Sequence, residues 1–270
     1  MKKLSPVVIV GLLLTLLCAG LAVFEPEFVR NISLKTYDAY MRLAAVSQQS
    51  DSVMLIDLDE DSLARHGQWP WPRYLVADLA RKVLDGKASV LAFDITFPEP
   101  DGHSPNLVRQ GLNTRYDLDV KLTGIPEDKM DFDKIFAEIL AKEKKHTLLG
   151  CFMYATPDTV ETVPDVDPHY RQYFYMKGTR NPDKVPDFLP QSDRMTISIP
   201  LLSEAAGNNA NFNSYPDADN VVRRTPLFMA YGQNRIYPAL SIEAVRMHLG
   251  VQQIGIECDA MGVEYLRLNE

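Results

Sequence analysis

A basic stripe is missing from this chain: 28 Lys and Arg stand against 36 Asp and Glu over 270 residues, a formal net charge of -8. That balance excludes a nucleic-acid partner, because gripping a phosphate backbone needs clustered cations that release its counterions. Also missing are a Gly-x-Ser-x-Gly elbow, a phosphate-binding P-loop and the glycine-rich dinucleotide fingerprint. Neither a nucleophilic hydrolase nor a nucleotide-cofactor enzyme therefore has support. The five histidines, His66, His103, His146, His169 and His248, are scattered without metal-ligand spacing, and no cofactor or metal is expected. Internal repeats, heptads and low-complexity tracts are absent. Cysteine is scarce: Cys18 lies in an apolar segment, leaving Cys151 and Cys258 either as a candidate disulfide in an oxidising compartment or as two separately buried thiols. What remains is ordinary globular composition, 46% hydrophobic and 24% charged, enough for a sizeable core.

The first 25 residues differ in kind. Met1-Lys2-Lys3 is a short basic start, and Pro6 to Phe24 carries no charge and is dominated by Leu, Val and Ile. About 19 helical positions at 1.5 Å each nearly match a hydrocarbon core of roughly 30 Å. A cleaved signal peptide, with small residues at Gly20-Leu21-Ala22, is the alternative, but its apolar core usually spans only about 7–15 residues. On either reading the rest of the chain is exported. Lys2 and Lys3 on the short side, with Glu25 and Glu27 beyond, place the N-terminus in the cytoplasm. The expected layout is a cytoplasmic tip (1–5), a single inner-membrane span (6–24), a juxtamembrane helix (25–50) and an extracytoplasmic domain (51–270).

Along the exported part, 29–46 has helical spacing, and "SVMLIDL" (52–58) and "ASVLAFDITF" (88–97) are apolar runs of strand length, as in a parallel sheet covered on both faces. Between them Leu75, Val76, Leu79, Val83 and Leu84 recur at helical intervals before Asp85-Gly86, so the segment predicts a βαβ unit. The pattern repeats: Asp131 or Asp133 caps a helix, and "HTLLGCFMY" (146–154) is a third strand. Polar stretches at roughly 98–130 and 155–195 look like insertions. A short helix near 200–207, a hairpin turning at "SYPDADN", a helix near 238–249 and two weak strands complete the chain. The predicted class is α/β: a mainly parallel sheet of βαβ units with helices on both faces and an added hairpin.

Candidate site residues sit at strand ends and turns. Asp57 and Asp59 in "LIDLDED" suggest the alternating acids of a metal-dependent phosphohydrolase, though Asp61 departs from that pattern and no Gly-Asp follows later. Asp59, Glu60 or Asp61 more simply caps a helix. Asp94 ends the second apolar run, so Asp57 and Asp94 are expected together at the carboxyl edge of the sheet, where crevices form. In "GQWPWPR" (67–73) the prolines favour extended geometry that turns Trp69 and Trp71 to opposite sides. The segment is then a rigid elbow that plants one indole and aims Arg73 at the carboxylates, with direct ligand contact as the other reading. Arg223, after Asp217-Ala218-Asp219, pairs across the hairpin. The candidate ligand-binding set is Asp57, Asp59, Trp71, Arg73, Asp94, Asp219 and Arg223.

Taken together, "KTYDAYMR" (35–42), "VMLIDLDEDSLARHGQWPWPR" (53–73), "ASVLAFDITFPEPD" (88–101), "NFNSYPDADNVVRRTPL" (211–227) and "IYPALSIEAVR" (236–246) resemble, in order, the extracellular sensory domain associated with cyclases and histidine kinases, CHASE, in its second type. The resemblance implies a non-enzymatic periplasmic or extracellular sensor. It would answer an unknown small-molecule or envelope stimulus, pair as a homodimer, and pass the signal across the membrane to an adenylate or guanylate cyclase or a kinase that this chain lacks. The later strands and membrane helices of that family are not present, so a truncated sensor is expected. Asn220 stands where such domains usually carry Gly, a position still open to a left-handed turn.

Overall fold

A computed structural model describes residues 5–45, 50–155, 166–167, 170, 174–177, 189–232, 235–258 and 262–268. Lys2, Lys3, His169 and most of the 155–195 stretch lie outside the described residues. The chain divides into two compact units, Met1–Leu58 and Asp59–Glu270.

In the first unit, α1 (Pro6–Phe24) is capped by the Ser5 side chain and ends at Glu25. Among the described residues it is the one helix long and apolar enough to cross a membrane, by length and composition, a test that an N-terminal signal sequence also passes. Next comes α2 (Glu27–Ala44), begun by Pro26. The expected strand at 52–58 does not form: these residues have no ladder partner, and Leu55 is 89% exposed. An apolar run supplies strand propensity, but only a neighbouring edge makes a strand of it.

The second unit opens with α3 (Glu60–His66), whose N-cap Asp59 accepts from the Ser62 amide. It continues with α4 (Arg73–Asp85), β1 (Leu91–Phe93), α5 (Pro105–Tyr116), α6 (Phe132–Lys142), β2 (Thr147–Ala155), β3 (Phe174–Lys177), β4 (Gln191–Thr196), α7 (Pro200–Ala206), β5 (Asn209–Asn211), β6 (Tyr215–Pro216), β7 (Val222–Arg224), β8 (Phe228–Tyr231), β9 (Arg235–Pro238), α8 (Leu240–Leu249), β10 (Ile254–Cys258) and β11 (Val263–Arg267). The two polar stretches are therefore not merely insertions. One contains α5, tied down by the Asn113 side chain at Val120, and the other contributes β3 and β4.

The sheet is mixed, which corrects the mainly parallel expectation. β1 runs parallel to β2 with α5 and α6 between them, one true βαβ crossover. β2 then changes partners along its length: its first half pairs with β1 on one edge and β5 on the other, and its second half pairs antiparallel with β4. β4 joins β8, β8 joins β9, and β9 returns to β5 through an Asn211–Ala239 bridge. Strands β2, β4, β8, β9 and β5 therefore close on themselves as a small barrel.

That ring is tight at one seam and mended at another. At the seam between β5 and β9 the Asn211 Nδ2 donates to the Tyr237 and Pro238 carbonyls (3.0 and 2.8 Å), and beside it Tyr170 exchanges hydrogen bonds with the Ile236 backbone. Beyond β5, Asn213 holds both the N–H and the C=O of Met153. Side chains there do the work of a ladder, since buried backbone groups must be paired. Gly150 on β2 explains the close approach of the neighbouring strands, because a Cβ there would meet the Phe93 carbonyl oxygen at 2.6 Å and the Phe212 ring at 2.5 Å. Gly150→Ala is expected to cost about 1–3 kcal/mol by overpacking, measured by chemical denaturation.

The barrel interior is Cys151, Met153, Met195, Met229, Tyr231 and Tyr237, with Val166 and Tyr170 against it. The opposite faces of β8 and β9 present Phe228, Ala230 and Ile236 to Ile254, Ile256 and Cys258 of β10, the centre of a β11-β10-β3 sheet. Outside the barrel α4 packs on α6 and α6 on α7, while α8 lies against β1, β2 and β5. This layout overturns the disulfide: Cys151 and Cys258 are both buried and not joined to each other, because one points into the barrel and the other packs on its outside.

Candidate functional site

Arg73 is the residue around which a site can be built. It begins α4, whose N-cap, Pro72, offers no side chain to the first free amides. Asp101, 28 positions away, supplies the missing acceptor: its Oδ2 takes the Arg73 N–H at 2.7 Å. Asp101 Oδ1 in turn accepts from the His103 N–H and faces His103 Nδ1, both at 3.0 Å. The Asp101 N–H donates to Asp133 Oδ2 at 2.7 Å, in the first turn of α6. Ser104 Oγ accepts from Phe132 N–H at the start of the same helix. The short loop "PEPDGHS" (98–104) thus caps two helices that pack on each other, with carboxylates where helix N-termini favour negative charge.

The Arg73 guanidinium fills the space between. It lies over the Phe97 ring at 4.5 Å, Nη2 reaches the Glu99 carbonyl at 3.4 Å, and Nε faces Asp133 Oδ1 at 3.6 Å. That last separation is an ion pair without a hydrogen bond, and both atoms are buried with no other partner. Burial, ahead of attraction to Asp133 and Asp101, pushes the Arg73 pKa down. Burial likewise pushes Asp133 up, against the Asp101 amide and Arg73. Desolvation outweighs pairing on both sides, as expected of a buried ion pair short of ideal geometry. Above this core the His103 side chain is exposed to solvent.

The other candidates are placed as follows. Trp71 is buried and its Nε1–H donates to the Gly67 carbonyl at 2.7 Å, so the structural-corner reading holds for it. Trp69 and Trp71 do not diverge: their rings lie 6.2 Å apart, because Trp71 is turned back on its own elbow by the bond from its Nε1–H to the Gly67 carbonyl. Asp94 directly follows β1 and is exposed. Asp57 belongs to the first unit, Asp94 and Arg73 to the second, and the carboxylates that meet Arg73 are Asp101 and Asp133. Asp59 Oδ1 is occupied by the amide and hydroxyl of Ser62, a helix cap. Among the described residues no group of three or more His, Cys, Asp or Glu is poised around a cation.

Asp219 and Arg223 form a local clasp, as the hairpin pattern suggests: a bidentate pair at 2.7 Å with Asp217 at 2.9 Å on the same guanidinium, over a turn in which Asn220 has φ 61°. Hydrogen bonding from Arg223 lowers the Asp219 pKa to about 2. A depressed carboxyl contributes stability that is complete above its unfolded pKa and is lost as pH falls through the folded one. The hairpin should therefore hold down to about pH 4 and loosen between there and about 2, with the Asp219 carboxyl resonance titrating near the lower value.

Asp101, Asp133 and His103 carry little site signal in the sequence: Asp133 reads as a helix cap and Asp101 closes "FPEPD". The available signal was "PDG", a turn dipeptide after proline followed by His and Ser.

The described residues form a loop-capped, mixed α/β unit with a closed barrel, preceded in the chain by an apolar helix. Compared with known families, residues 9–268 match the CHASE2 domain. The chain belongs to the CHASE2 family, whose members are extracellular sensory domains found in signalling proteins. Neither a curated protein nor a solved structure matches it.

Proposed function

We propose that this chain is the extracytoplasmic sensory module of a membrane-anchored signalling protein, in which residues 1–5 are cytoplasmic, 6–24 span the inner membrane, 25–50 form the stalk and 51–270 receive the stimulus. The observation that carries this reading is the family match over residues 9–268, which begins inside the apolar helix. The regulated output is an adenylate or guanylate cyclase or a kinase, and two copies act together through paired stalks. The cluster of Arg73, Asp101 and Asp133 is the element read. A stimulus that changes the 3.6 Å separation of Arg73 and Asp133 moves the starts of α4 and α6 together, because each of those helices carries one of the partners. A ligand need only bind one spacing better than the other to shift it.

Orientation is tested with Tyr40→Cys in a Cys18→Ser background, since Tyr40 is exposed on α2 while Cys151 and Cys258 are buried. A membrane-impermeant maleimide should label intact cells, whereas labelling only after permeabilisation would reverse the topology. Sensing is tested by thermal shift of the full chain in micelles against a panel of envelope solutes. A specific ligand at a hundred times its Kd adds about 2.7 kcal/mol, and Asp101→Asn should remove that gain.

A further inference from the structure

Two halves of one strand contact stand unused in this chain. The first is the run that follows α2: residues 53–58 make no hydrogen bond among the described residues. Val53, Met54 and Leu55 are 79%, 88% and 89% exposed, and Ile56 is 44% exposed. Consecutive bulky apolar side chains left in water mark a surface that a partner covers. The second half is β1, which pairs with β2 on one edge and with no strand on the other. The Leu91 N–H donates toward β2, to the His146 carbonyl at 2.7 Å, so alternation along the strand turns the Ala92 N–H and C=O to the open edge. No described group bonds them there, and Ala92 is itself exposed. Apart from its shortness, β1 uses none of the devices that keep an open edge from pairing. Val90 to Phe93 carry no charge and no proline, and the ladder to β2 has no bulge.

The sequence encodes a contact between these halves, since two apolar runs separated by a helix are neighbours in a parallel sheet. A single folded chain leaves both without a partner, and a second copy carries both in reciprocal form. We propose that two copies exchange strands: residues 52–58 of each run parallel along the open edge of β1 in the other, with Leu55 or Ile56 beside Ala92. Main-chain bonds to the edge supply the attraction, as in other strand additions, and the apolar run loses its contact with water. The exchange makes one contact twice about a twofold axis, so it closes at two copies and leaves no edge free for a third. The run follows α2 in the chain, and β1 leads through Asp94 to the 98–104 loop. The exchange therefore ties α2 of one copy to the Arg73 cluster of the other. It does not rest on the chain being a sensor, and it is distinct from pairing through the stalks, which would make a dimer without it.

The test uses the full chain in detergent micelles, with Cys18→Ser throughout and two differently tagged forms co-expressed. One form carries Leu55→Cys or Ile56→Cys and the other Ala92→Cys. Adjacent strand residues face opposite sides, so one of the two run positions lies on the Ala92 side. A short bismaleimide should join the forms into a species with both tags, because Cys151 and Cys258 are buried. Val108→Cys, exposed on α5, in place of Ala92→Cys should yield none. Hydrogen exchange gives a second reading. The Ala92 amide should be protected in the unaltered chain and lose that protection in Leu55→Pro/Ile56→Pro, since one of those two residues supplies a donor to the edge and proline has none. Absence of the two-tag species at both run positions overturns the exchange, whether the chain is then monomeric or paired through α2 alone. So does cross-linking of Leu55→Cys/Ala92→Cys within one chain but not between forms, or an Ala92 amide that exchanges as freely in the unaltered chain as in the proline variant.

Discussion

Arg73→Ala is expected to lower the stability of the folded chain by about 3–5 kcal/mol, the usual consequence of deleting one partner of a buried charge pair. The Arg73 side chain is 8% exposed and that of Asp133 5%, so removing the cation leaves two buried carboxylates, Asp133 and Asp101, in a space that water does not reach. The loss also removes the cation over Phe97. For a domain of this size a shift of 1 kcal/mol moves Tm by about 2–4 °C. The midpoint, followed by fluorescence of the buried Trp71, should therefore fall by about 6–20 °C. Arg73→Lys should land between the two, because it keeps the charge but not the planar group that stacks on Phe97. In Arg73→Ala/Asp133→Asn the loss should be smaller than the sum of the single losses, since fewer charges are stranded. A drop under about 1 kcal/mol for Arg73→Ala would mean that the cluster behaves as an exposed pair and cannot act as a two-position element.

Asn211→Ala is the second large effect. Asn211 is fully buried and its amide holds two carbonyls of β9. Each carbonyl left without a partner costs about 1–3 kcal/mol, giving about 2–6 kcal/mol for the pair. The effect should also be local. The seam has one backbone bridge, Asn211–Ala239, so the Ala239 amide, which donates to Leu227, and the neighbouring Ile236 amide should exchange with solvent faster than amides in β2. Unchanged protection along β9 would show that the barrel does not depend on this side chain.

How far the sequence could be read is clearest in particular elements. The caps were legible: Asp59 before α3, Asp131 before α6 and Gly86 after α4 all use local chemistry, one side chain or one turn within a few residues. The helix intervals at 75–84 and the hairpin at Asp217–Arg224 were legible for the same reason. The run 52–58 misled because hydrophobicity states a need for burial without naming a partner. β4 was hidden in a polar stretch, since "QSDRMT" alternates weakly and is defined by its pairing with β2. In the site, Arg73 could be singled out from "WPWPR", but its carboxylates could not. Asp94 is nearer in sequence than Asp101 or Asp133, and only the path of the 98–104 loop decides which acid arrives.

The sequence by itself determined the apolar helix, the local caps, the α/β character and the family, because each depends on composition, on contacts a few residues apart or on an ordered set of motifs. Tertiary structure alone decided the mixed barrel, the separation of Cys151 from Cys258, and the meeting of Arg73 with Asp101 and Asp133. These depend on which distant segments share a neighbourhood, and loop closure over 28 or more positions leaves no periodicity in the chain that it joins.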